Sequence, residues 1–319
     1  MPAGRVFAVG ATAGLLGDSL FGDPRRAHPV AVYGRLAGLA EKALWRDHRG
    51  AGALHTLLCA GGATALGAVV SRAAARRSPV ASAALTALVT WTVVGGTSLA
   101  REGRALAAAL EAGDLAAARE RLPHLCGRDP RHLDAEGIAR AVVESVAENT
   151  SDAVVGALVW GALGGVPGLL AFRAVNTLDA MVGHKSLRYL RFGWSAARLD
   201  DLMGFPGARL TAGLAALAGG GPRAALAAVR EDAHRHPSPN AGPVEAAFAG
   251  ALGVRLGGTL SYGGRVEHRP VLNARRGRAV AVPDVERAVR LSRRVTWAAL
   301  GVCVAARLLV SRYVPGRAR

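Results

Sequence analysis

The sequence predicts an all-α, polytopic integral membrane protein, and three observations support this fold class. The chain has 319 residues, of which 51% are hydrophobic and only 5% are aromatic. Several apolar stretches approach the about 20 residues that a helix needs to cross a bilayer. Alternation of apolar and polar residues, which is typical of strands, is short and rare. We therefore expect one membrane domain over residues 1–319, with polar insertions at about 101–152 and 219–294.

The apolar stretches give the helices in order. The first, residues 6–20, contains Asp18 and is not followed by a small-residue cleavage site, so we predict a retained membrane helix rather than a signal peptide. The others are residues 53–70, 79–100, 153–175 and 296–310, with a weaker stretch at 205–218. These stretches predict four to six membrane spans.

The stretch at 153–175 is interrupted at its centre by Gly164, Gly165, Pro167 and Gly168. Proline removes a backbone donor and glycine weakens a helix. Two interpretations follow from the residues alone. The stretch is either a kinked span or a pair of half-helices that return to the same side.

The charge of the chain is strongly positive, with 40 Lys and Arg against 23 Asp and Glu, a net of +17. Nucleic acid is not an expected partner, because the basic residues are scattered, aromatic residues for base stacking are few, and no known nucleic-acid motif is present. Basic loops beside apolar segments instead favour contact with membrane lipid.

The first polar insertion reverses this charge. Residues 101–152 hold seven basic and ten acidic residues, a local net of 7 − 10 = −3. They predict two short amphipathic helices broken at 112–114, followed by a turn-rich link and a helix from Asp134 to Asp152. Carboxylates gathered against a basic background indicate a cation site, most simply for Mg²⁺.

The predicted helix carries a polar stripe. Arg140, Glu144, Glu148 and Asp152 recur every four residues, and Asn149 runs beside them. Glu144 and Glu148 repel each other at this spacing, and a metal ion or a basic ligand would remove the penalty. An ordinary solvated helix face is the alternative, and from spacing alone it is slightly favoured.

A second polar cluster follows the interrupted apolar stretch. Its members are Asn176, Asp179, His184, Lys185, Arg188, Asp200 and Asp201. A return hairpin would bring both clusters into one site. Carboxylates there could hold Mg²⁺ that bridges nucleotide phosphates, and Lys or Arg could bind the phosphates directly.

Two further loops carry candidate ligand contacts. The segment HPSPNAGP presents Ser238 and Asn240, and the segment YGG begins at Tyr262. The chain has no GxxxxGK[ST] loop, no GxGxxG after a strand, no HExxH and no GxSxG. Any nucleotide site is therefore of a non-standard kind.

Long segments of the chain resemble one known family. They include GDPRRAHPV, the block ESVAENTSD with VNTLDAMVGH, and HPSPNAGPVEAAFAGALGVRLGG followed by YGG and RP. Nearly the whole chain resembles the CobD/CbiB family of adenosylcobinamide-phosphate synthases. The resemblance implies an integral membrane ligase of cobalamin biosynthesis. Such a ligase joins adenosylcobyric acid, a corrinoid, to (R)-1-amino-2-propanol or its O-phosphate, with ATP as co-substrate and Mg²⁺ as cofactor.

The resemblance also suggests roles for the clustered residues. Candidates for catalysis and metal binding are Glu144, Glu148 and Asp152, with Asp200 and Asp201 as further metal candidates. Candidates for orienting substrate amides are Asn149, Asn176 and Asn240, and candidates for phosphate are Lys185 and Arg188. Other substrate or nucleotide contacts are expected at Ser151, Asp179, His184, Ser238 and Tyr262.

ATP is supplied by the cytoplasm, so the resemblance places the polar clusters on the cytoplasmic face of the cell membrane. The resemblance does not say whether the protein contacts other late enzymes of the pathway or associates with itself. Two other functional classes are alternatives. One is a membrane sensor such as the related AmpE-like group, which would not need these polar sets. The other is a transporter, which would carry polar residues within its spans rather than at their ends.

Overall fold

The structure is a computed structural model that describes residues 2–24, 28–262 and 265–313, without the side chains of residues 260–262 and 265–266. Within these residues the chain is helical apart from one two-stranded sheet, which confirms the predicted fold class. The helices are α1 (Ala3–Phe21), α2 (Pro29–Leu44), α3 (Arg49–Arg77), α4 (Pro79–Val93), α5 (Gly96–Glu111), α6 (Leu115–Arg121), α7 (Ala135–Asn149), α8 (Gly156–Leu178), α9 (Trp194–Ala218), α10 (Pro222–Asp232), α11 (Ala241–Leu252) and α12 (Pro283–Tyr313). The strands are β1 (Leu256–Tyr262) and β2 (Arg265–Leu272).

The chain divides into two compact units. The first unit contains Met1–Gly95, Asp152–Pro206 and Leu300–Arg319, and the second contains Gly96–Ser151 and Gly207–Ala299. Most of the predicted apolar stretches belong to the first unit. The two predicted polar insertions belong almost entirely to the second.

In the first unit, α1 packs closely against α4 through small residues. A Cβ atom added at Gly10 would lie 2.5 Å from the Thr86 Cβ, and one added at Gly14 would lie 2.6 Å from the Thr90 Cβ. Glycine lets two helix backbones approach in this way, as it does in membrane helix pairs. The predicted helix at 6–20 is therefore present and is held against a neighbouring helix.

Four helical segments are long and apolar enough to cross a membrane. They are Arg49–Arg77, Pro79–Glu111, Ala135–Gly183 and Pro283–Tyr313, and α1 is not among them. On α3, Leu57 is 68% exposed and Leu66 is 59% exposed. Large apolar side chains on the outside of a helix suit contact with lipid rather than water.

The third of these segments reverses direction inside α8. Gly165 has φ +63° and ψ −145°, which ends one helical arm and begins another. Across the reversal, a Cβ atom at Gly161 would lie 2.9 Å from the Leu169 side chain. A Cβ atom at Gly168 would overlap the backbone oxygen of Trp160. The two arms therefore lie side by side and run in opposite directions.

This geometry decides between the two interpretations of the interrupted stretch in favour of the return hairpin. Within α8 the two arms are residues 156–164 and 166–178, on either side of Gly165. Both ends of the hairpin consequently lie on the same side of the reversal. The polar residues just before and just after α8 are thereby brought towards each other.

Replacement of Gly168 by alanine is expected to lower the free energy of unfolding by about 1–3 kcal/mol, because the new Cβ forces the two arms apart. The Gly164→Ala variant is the matched control, since a Cβ atom there has no atom within 4 Å. Thermal unfolding of both variants in detergent micelles checks the difference. Equal midpoints for the two variants would show that the arms do not pack closely at Gly168.

The second unit contains the helices that the first polar insertion predicts. The chain breaks between α5 and α6 at Gly113, which has φ +73°. Helix α7 begins where Asp134 Oδ1 accepts a hydrogen bond from the Gly137 N–H at 2.8 Å. A Cβ atom at Gly103 on α5 would lie 3.6 Å from Val142 on α7. The apolar face of α7 therefore packs on α5. The polar stripe of α7 is turned away from α5.

A β-hairpin and the buried helix α11 complete the second unit. Strands β1 and β2 pair in antiparallel orientation, with an irregularity between Leu256 and Gly258. Gly257 lies in this irregularity with φ +82°, and a Cβ atom there would overlap the backbone oxygen of Pro270. Glycine alone fits this backbone, which brings the Gly257 N–H close to α7. The sequence does not predict this hairpin.

Candidate functional sites

In the first unit, Arg173 joins the ends of the return hairpin. Its Nε donates to the Val93 backbone oxygen at 2.7 Å, and its Nη2 donates to the Ala153 oxygen at 3.0 Å. Its Nη1 donates to Asn176 Oδ1 at 3.3 Å. A guanidinium group with several donors in a fixed plane can hold three acceptors together in this way. Arg173 therefore fixes the entry and exit of the hairpin relative to each other.

A cavity of about 480 Å³ opens beside this arginine, lined in part by Asp23, His28 and Arg173. Asp23 Oδ1 and His28 Nε2 are buried and have no hydrogen-bond partner among the described residues. His28 Nδ1 accepts the Val30 N–H at 3.2 Å, so the proton of the neutral ring lies on Nε2. The cavity thus offers one acceptor and one donor to a polar ligand.

Three of the predicted site residues meet around Arg173. The charge of Asp152 acts on the Arg173 guanidinium, as does that of Asp23. Asn176 Nδ2 donates to Asp200 Oδ1 at 3.3 Å. The two polar clusters on either side of α8 therefore supply residues to one place, as the hairpin interpretation predicts. Both neighbouring helical stretches, Thr150–Val155 and Asp179–Gly183, have wide π-helical turns, which are frequent at functional sites.

Of the other predicted residues after α8, Arg188 contacts Glu41 on α2. Glu41 Oε1 accepts hydrogen bonds from Arg188 Nη2 at 3.1 Å and from Tyr189 Oη at 2.9 Å. The Arg188 guanidinium also stacks over the Trp45 ring at 4.5 Å. The pKa of Arg188 is raised by its hydrogen bonds to Tyr189 and Glu41. His184 and Lys185 are exposed, and Asp179 and Asp201 are half-buried.

In the second unit, Glu144 is buried and paired. Arg128 Nη2 donates to Glu144 Oε2, and the Gly257 N–H donates to Glu144 Oε1 at 2.6 Å. The Glu144 side chain is 3% exposed and that of Arg128 is 6% exposed. Both carboxylate oxygens already accept hydrogen bonds, so Glu144 joins the polar link before α7 to the β-hairpin.

Glu148, one turn further along α7, lies near a second buried carboxyl group. Glu148 is exposed to solvent, whereas Glu245 on α11 is only 3% exposed. The pKa of Glu245 is raised to about 8, first by burial and then by the charge of Glu148. Arg128 and Arg269 oppose this shift. Glu245 therefore holds a proton at pH values where an ordinary glutamate has lost it.

The Glu245→Gln variant is expected to reduce the dependence of stability on pH. The folded-state pKa of Glu245 lies above the ordinary glutamate value, so its contribution to stability is present at low pH and is lost as pH rises through about 8. Thermal unfolding midpoints of wild type and variant between pH 5 and pH 9 measure this. The wild-type midpoint should fall more steeply with rising pH, and parallel curves would contradict the raised pKa.

Close to Glu245 lies the loop that the sequence predicts as a ligand contact. His236 Nδ1 accepts the Ser238 N–H at 3.1 Å, and burial lowers the pKa of His236. Ser238 Oγ accepts the Ala241 N–H at 3.1 Å, which caps α11. Asn240 Oδ1 accepts a hydrogen bond from Arg209 Nη1 at 2.8 Å. Ser238 and the Asn240 carbonyl thus shape this loop.

The remaining predicted site residues do not share one environment. Asn149 Nδ2 donates to the Ser145 backbone oxygen at 2.9 Å, which turns its side chain back along α7. Ser151 Oγ is buried without a partner in the described part of the chain. The Tyr262 side chain and the glycines that follow it, at 263 and 264, lie outside the described residues.

The described residues contain no group of three or more His, Cys, Asp or Glu side chains that could hold a metal ion on its own. Of the predicted metal candidates, Glu144 and Glu148 belong to the second unit, and Asp152, Asp200 and Asp201 belong to the first. Mg²⁺ is usually bound by one or two carboxylates together with substrate phosphates, so fewer than three protein side chains suffice for such a site. Asp23 Oδ1, a buried acceptor without a described donor, fits one such ligand.

Several site residues are absent from the sequence-based prediction. Arg128 and His236 lie in loops, where neither spacing nor charge indicates a partner. Arg173 had an available signal, because a charge within an apolar stretch is costly without partners. Glu245 resembles an ordinary first-turn glutamate in the sequence, and only its burial distinguishes it.

Comparison with known proteins points to one family. Residues 11–292 match the family described as CobD/Cbib protein. A protein of Mycobacterium tuberculosis strain H37Rv, named cobalamin biosynthesis protein CobD, is 53% identical over 312 residues, which cover 97% of each chain. The protein of the same name from Chromobacterium violaceum is 42% identical over 307 residues, covering 93% of this chain and 95% of the relative. No solved structure matches the sequence.

Proposed function

Because the chain belongs to the CobD/CbiB family of cobalamin biosynthesis, we propose that it is an ATP-dependent ligase. In this proposal it forms the amide between adenosylcobyric acid and (R)-1-amino-2-propanol or its O-phosphate. The observation that carries the proposal is the return hairpin, which gathers Asp152 and Asn176 around Arg173 beside the cavity that Asp23 and His28 line in part. Cationic and anionic groups at one place are what an Mg²⁺-bound nucleotide requires.

The chemistry explains why both kinds of charge are needed. A carboxylate is a poor electrophile, so the corrinoid carboxylate must first be activated, most simply as an acyl phosphate. Asp23 and Asp152 are the residues that would hold Mg²⁺, which would neutralise charge on the transferred phosphoryl group. Arg173 keeps these two carboxylates near the hairpin ends, and the proton on His28 Nε2 is available to a phosphate oxygen.

The membrane has a separate role in the proposal. Three of the helical segments that are long and apolar enough to cross a bilayer, Arg49–Arg77, Pro79–Glu111 and Pro283–Tyr313, would anchor the enzyme in the cell membrane, and the fourth would enter it as the return hairpin. The sites would face the cytoplasm, where ATP is made, and could receive the corrinoid from neighbouring enzymes of the pathway. A sensor or a transporter accounts less well for relatives that are named biosynthesis proteins.

The direct test uses purified protein in detergent or nanodiscs with adenosylcobyric acid, Mg²⁺–ATP and the amine. Amide product that depends on ATP and Mg²⁺ would support the ligase function. The Asp23→Asn variant should lose product, whereas Asp47→Asn, with its exposed side chain, should keep it. Absence of both amide product and nucleotide turnover in the wild type would refute the proposal.

A further inference from the structure

A cavity of about 520 Å³ lies in the first unit at the reversal of the return hairpin, and the proposed nucleotide site does not use it. Gly164 and Gly165 form part of its wall. A Cβ atom at Gly164 would have no atom within 4 Å, so the backbone of the reversal borders open space. The rest of the wall comes from α1, α3, α4 and the last part of α12. The volume lies in the range of about 300–1,000 Å³ that is usual for ligand sites.

The charge around this cavity is positive. Arg72 of α3 and Arg307 of α12 line it, and none of the described lining residues is Asp or Glu. Arg307 Nη1 donates to the Leu163 backbone oxygen at 3.2 Å, which ties this arginine to the chain just before the reversal. Neither arginine forms an ion pair with any residue that the structure describes. An anion in the cavity would supply the negative charge that both side chains lack.

Two polar atoms of the cavity residues also await an acceptor or a donor. Ser71 Oγ and Arg307 Nε are buried and have no hydrogen-bond partner within the described ranges. Buried polar atoms are normally hydrogen-bonded. Three helical stretches also begin at the cavity, α1 at Ala3, α4 at Pro79 and the second arm of α8 after Gly165. The start of a helix carries partial positive charge. Arginines, a hydroxyl group and helix starts together are suited to a phosphate group.

The remainder of the cavity wall is largely apolar and includes Phe7 and Leu85. A free phosphate ion has no use for such a wall, whereas a lipid has acyl chains to place against it. Just outside the cavity, Val69 on α3 is 60% exposed and Val80 on α4 is 72% exposed. Both helices belong to segments that can cross a membrane, and the cavity lies where α3 ends and α4 begins. Spanning helices leave the hydrocarbon and meet lipid headgroups at such ends.

We propose that this cavity binds one anionic phospholipid, with the headgroup phosphate between Arg72 and Arg307. The acyl chains lie against the exposed apolar side chains of α3 and α4. A lipid whose headgroup also carries a quaternary ammonium group binds more weakly, because the cavity offers two cations and no carboxylate to pair with it. This lipid site is separate from the proposed ligase chemistry, and its test needs no turnover.

The experiment titrates the delipidated full chain in detergent with phosphatidylglycerol, with phosphatidylcholine of the same acyl chains, and with inorganic phosphate. Native mass spectrometry counts bound lipids, and thermal unfolding reports binding as a raised midpoint. We expect one tightly bound phosphatidylglycerol for each chain. Arg72→Gln should weaken its binding about fivefold, the effect of about one basic residue at a lipid surface. Arg77→Gln, an exposed arginine of the same helix that does not line the cavity, is the matched control and should stay within about twofold of wild type.

A second pair of variants separates charge from structure. Arg307→Gln loses both the charge and the hydrogen bond to Leu163, whereas Arg307→Lys keeps the charge. We expect phosphatidylglycerol to bind about fivefold more weakly to the first and within about twofold of wild type to the second. Equal binding of the two lipids, or equal weakening in Arg72→Gln and Arg77→Gln, would overturn the site. Inorganic phosphate that raises the midpoint as much as phosphatidylglycerol would assign the cavity to a free phosphate instead. Wild type that forms amide but binds no lipid would overturn the lipid site alone.

Discussion

Replacing Arg128 by alanine is expected to lower the free energy of unfolding by about 3–5 kcal/mol, because it leaves a buried charge without its partner. Arg128 Nη2 is the side-chain donor to Glu144 Oε2, and both side chains are almost fully buried. After the substitution the Gly257 N–H still donates to the other oxygen of Glu144. One neutral donor does not compensate a carboxylate that has lost a guanidinium group.

A double variant separates the charge from the packing. In Arg128→Met combined with Glu144→Leu, both charges are replaced by apolar groups of similar size, so most of the lost stability should return. Arg223→Ala, an exposed arginine of the same unit, serves as the control and should change stability by less than about 0.5 kcal/mol. Denaturation in detergent measures all three. A loss in Arg128→Ala no larger than in the control would show that the pair is not buried as described.

The local structure of this region is readable from the sequence, whereas the partner of Glu144 is not. The Asp134 cap and the four-residue polar stripe predict α7 correctly, since both signals lie within one helix. Arg128 comes from a turn-rich link, and Gly257 comes from a hairpin more than a hundred residues away. Contacts of that sequence separation depend on tertiary packing, which a single stripe of charges does not encode.

The interrupted apolar stretch also shows that contacts made by tertiary packing cannot be read from the sequence. Gly164, Gly165 and Pro167 predict a break, and the break occurs at Gly165. A kinked span and a return hairpin begin with the same residues, so the sequence leaves both open. The contact between Gly161 and Leu169 decides for the hairpin, and it exists only once the second arm has folded back.

Replacing Arg173 by methionine is expected to destabilise the first unit and to abolish nucleotide turnover. The backbone oxygens of Val93 and Ala153 each lose their side-chain donor, at about 1–3 kcal/mol for each acceptor left unsatisfied. Asp23 and Asp152 also lose the favourable interaction of their negative charges with the Arg173 guanidinium group. Arg198→Met, an exposed arginine of the same unit, is the control and should retain stability and turnover.

The Arg173→Lys variant separates the two effects of the arginine. Lysine keeps the positive charge but is a point donor, so it cannot reach the acceptors that the planar guanidinium group holds apart. If charge near Asp23 and Asp152 is what the nucleotide needs, Arg173→Lys should lose stability yet keep measurable ATP turnover. If turnover instead requires Arg173 to hold the two hairpin ends together, the stability and the ATP turnover of Arg173→Lys should both fall, as in Arg173→Met. Wild-type stability in Arg173→Met would mean that Arg173 does not hold the hairpin closed.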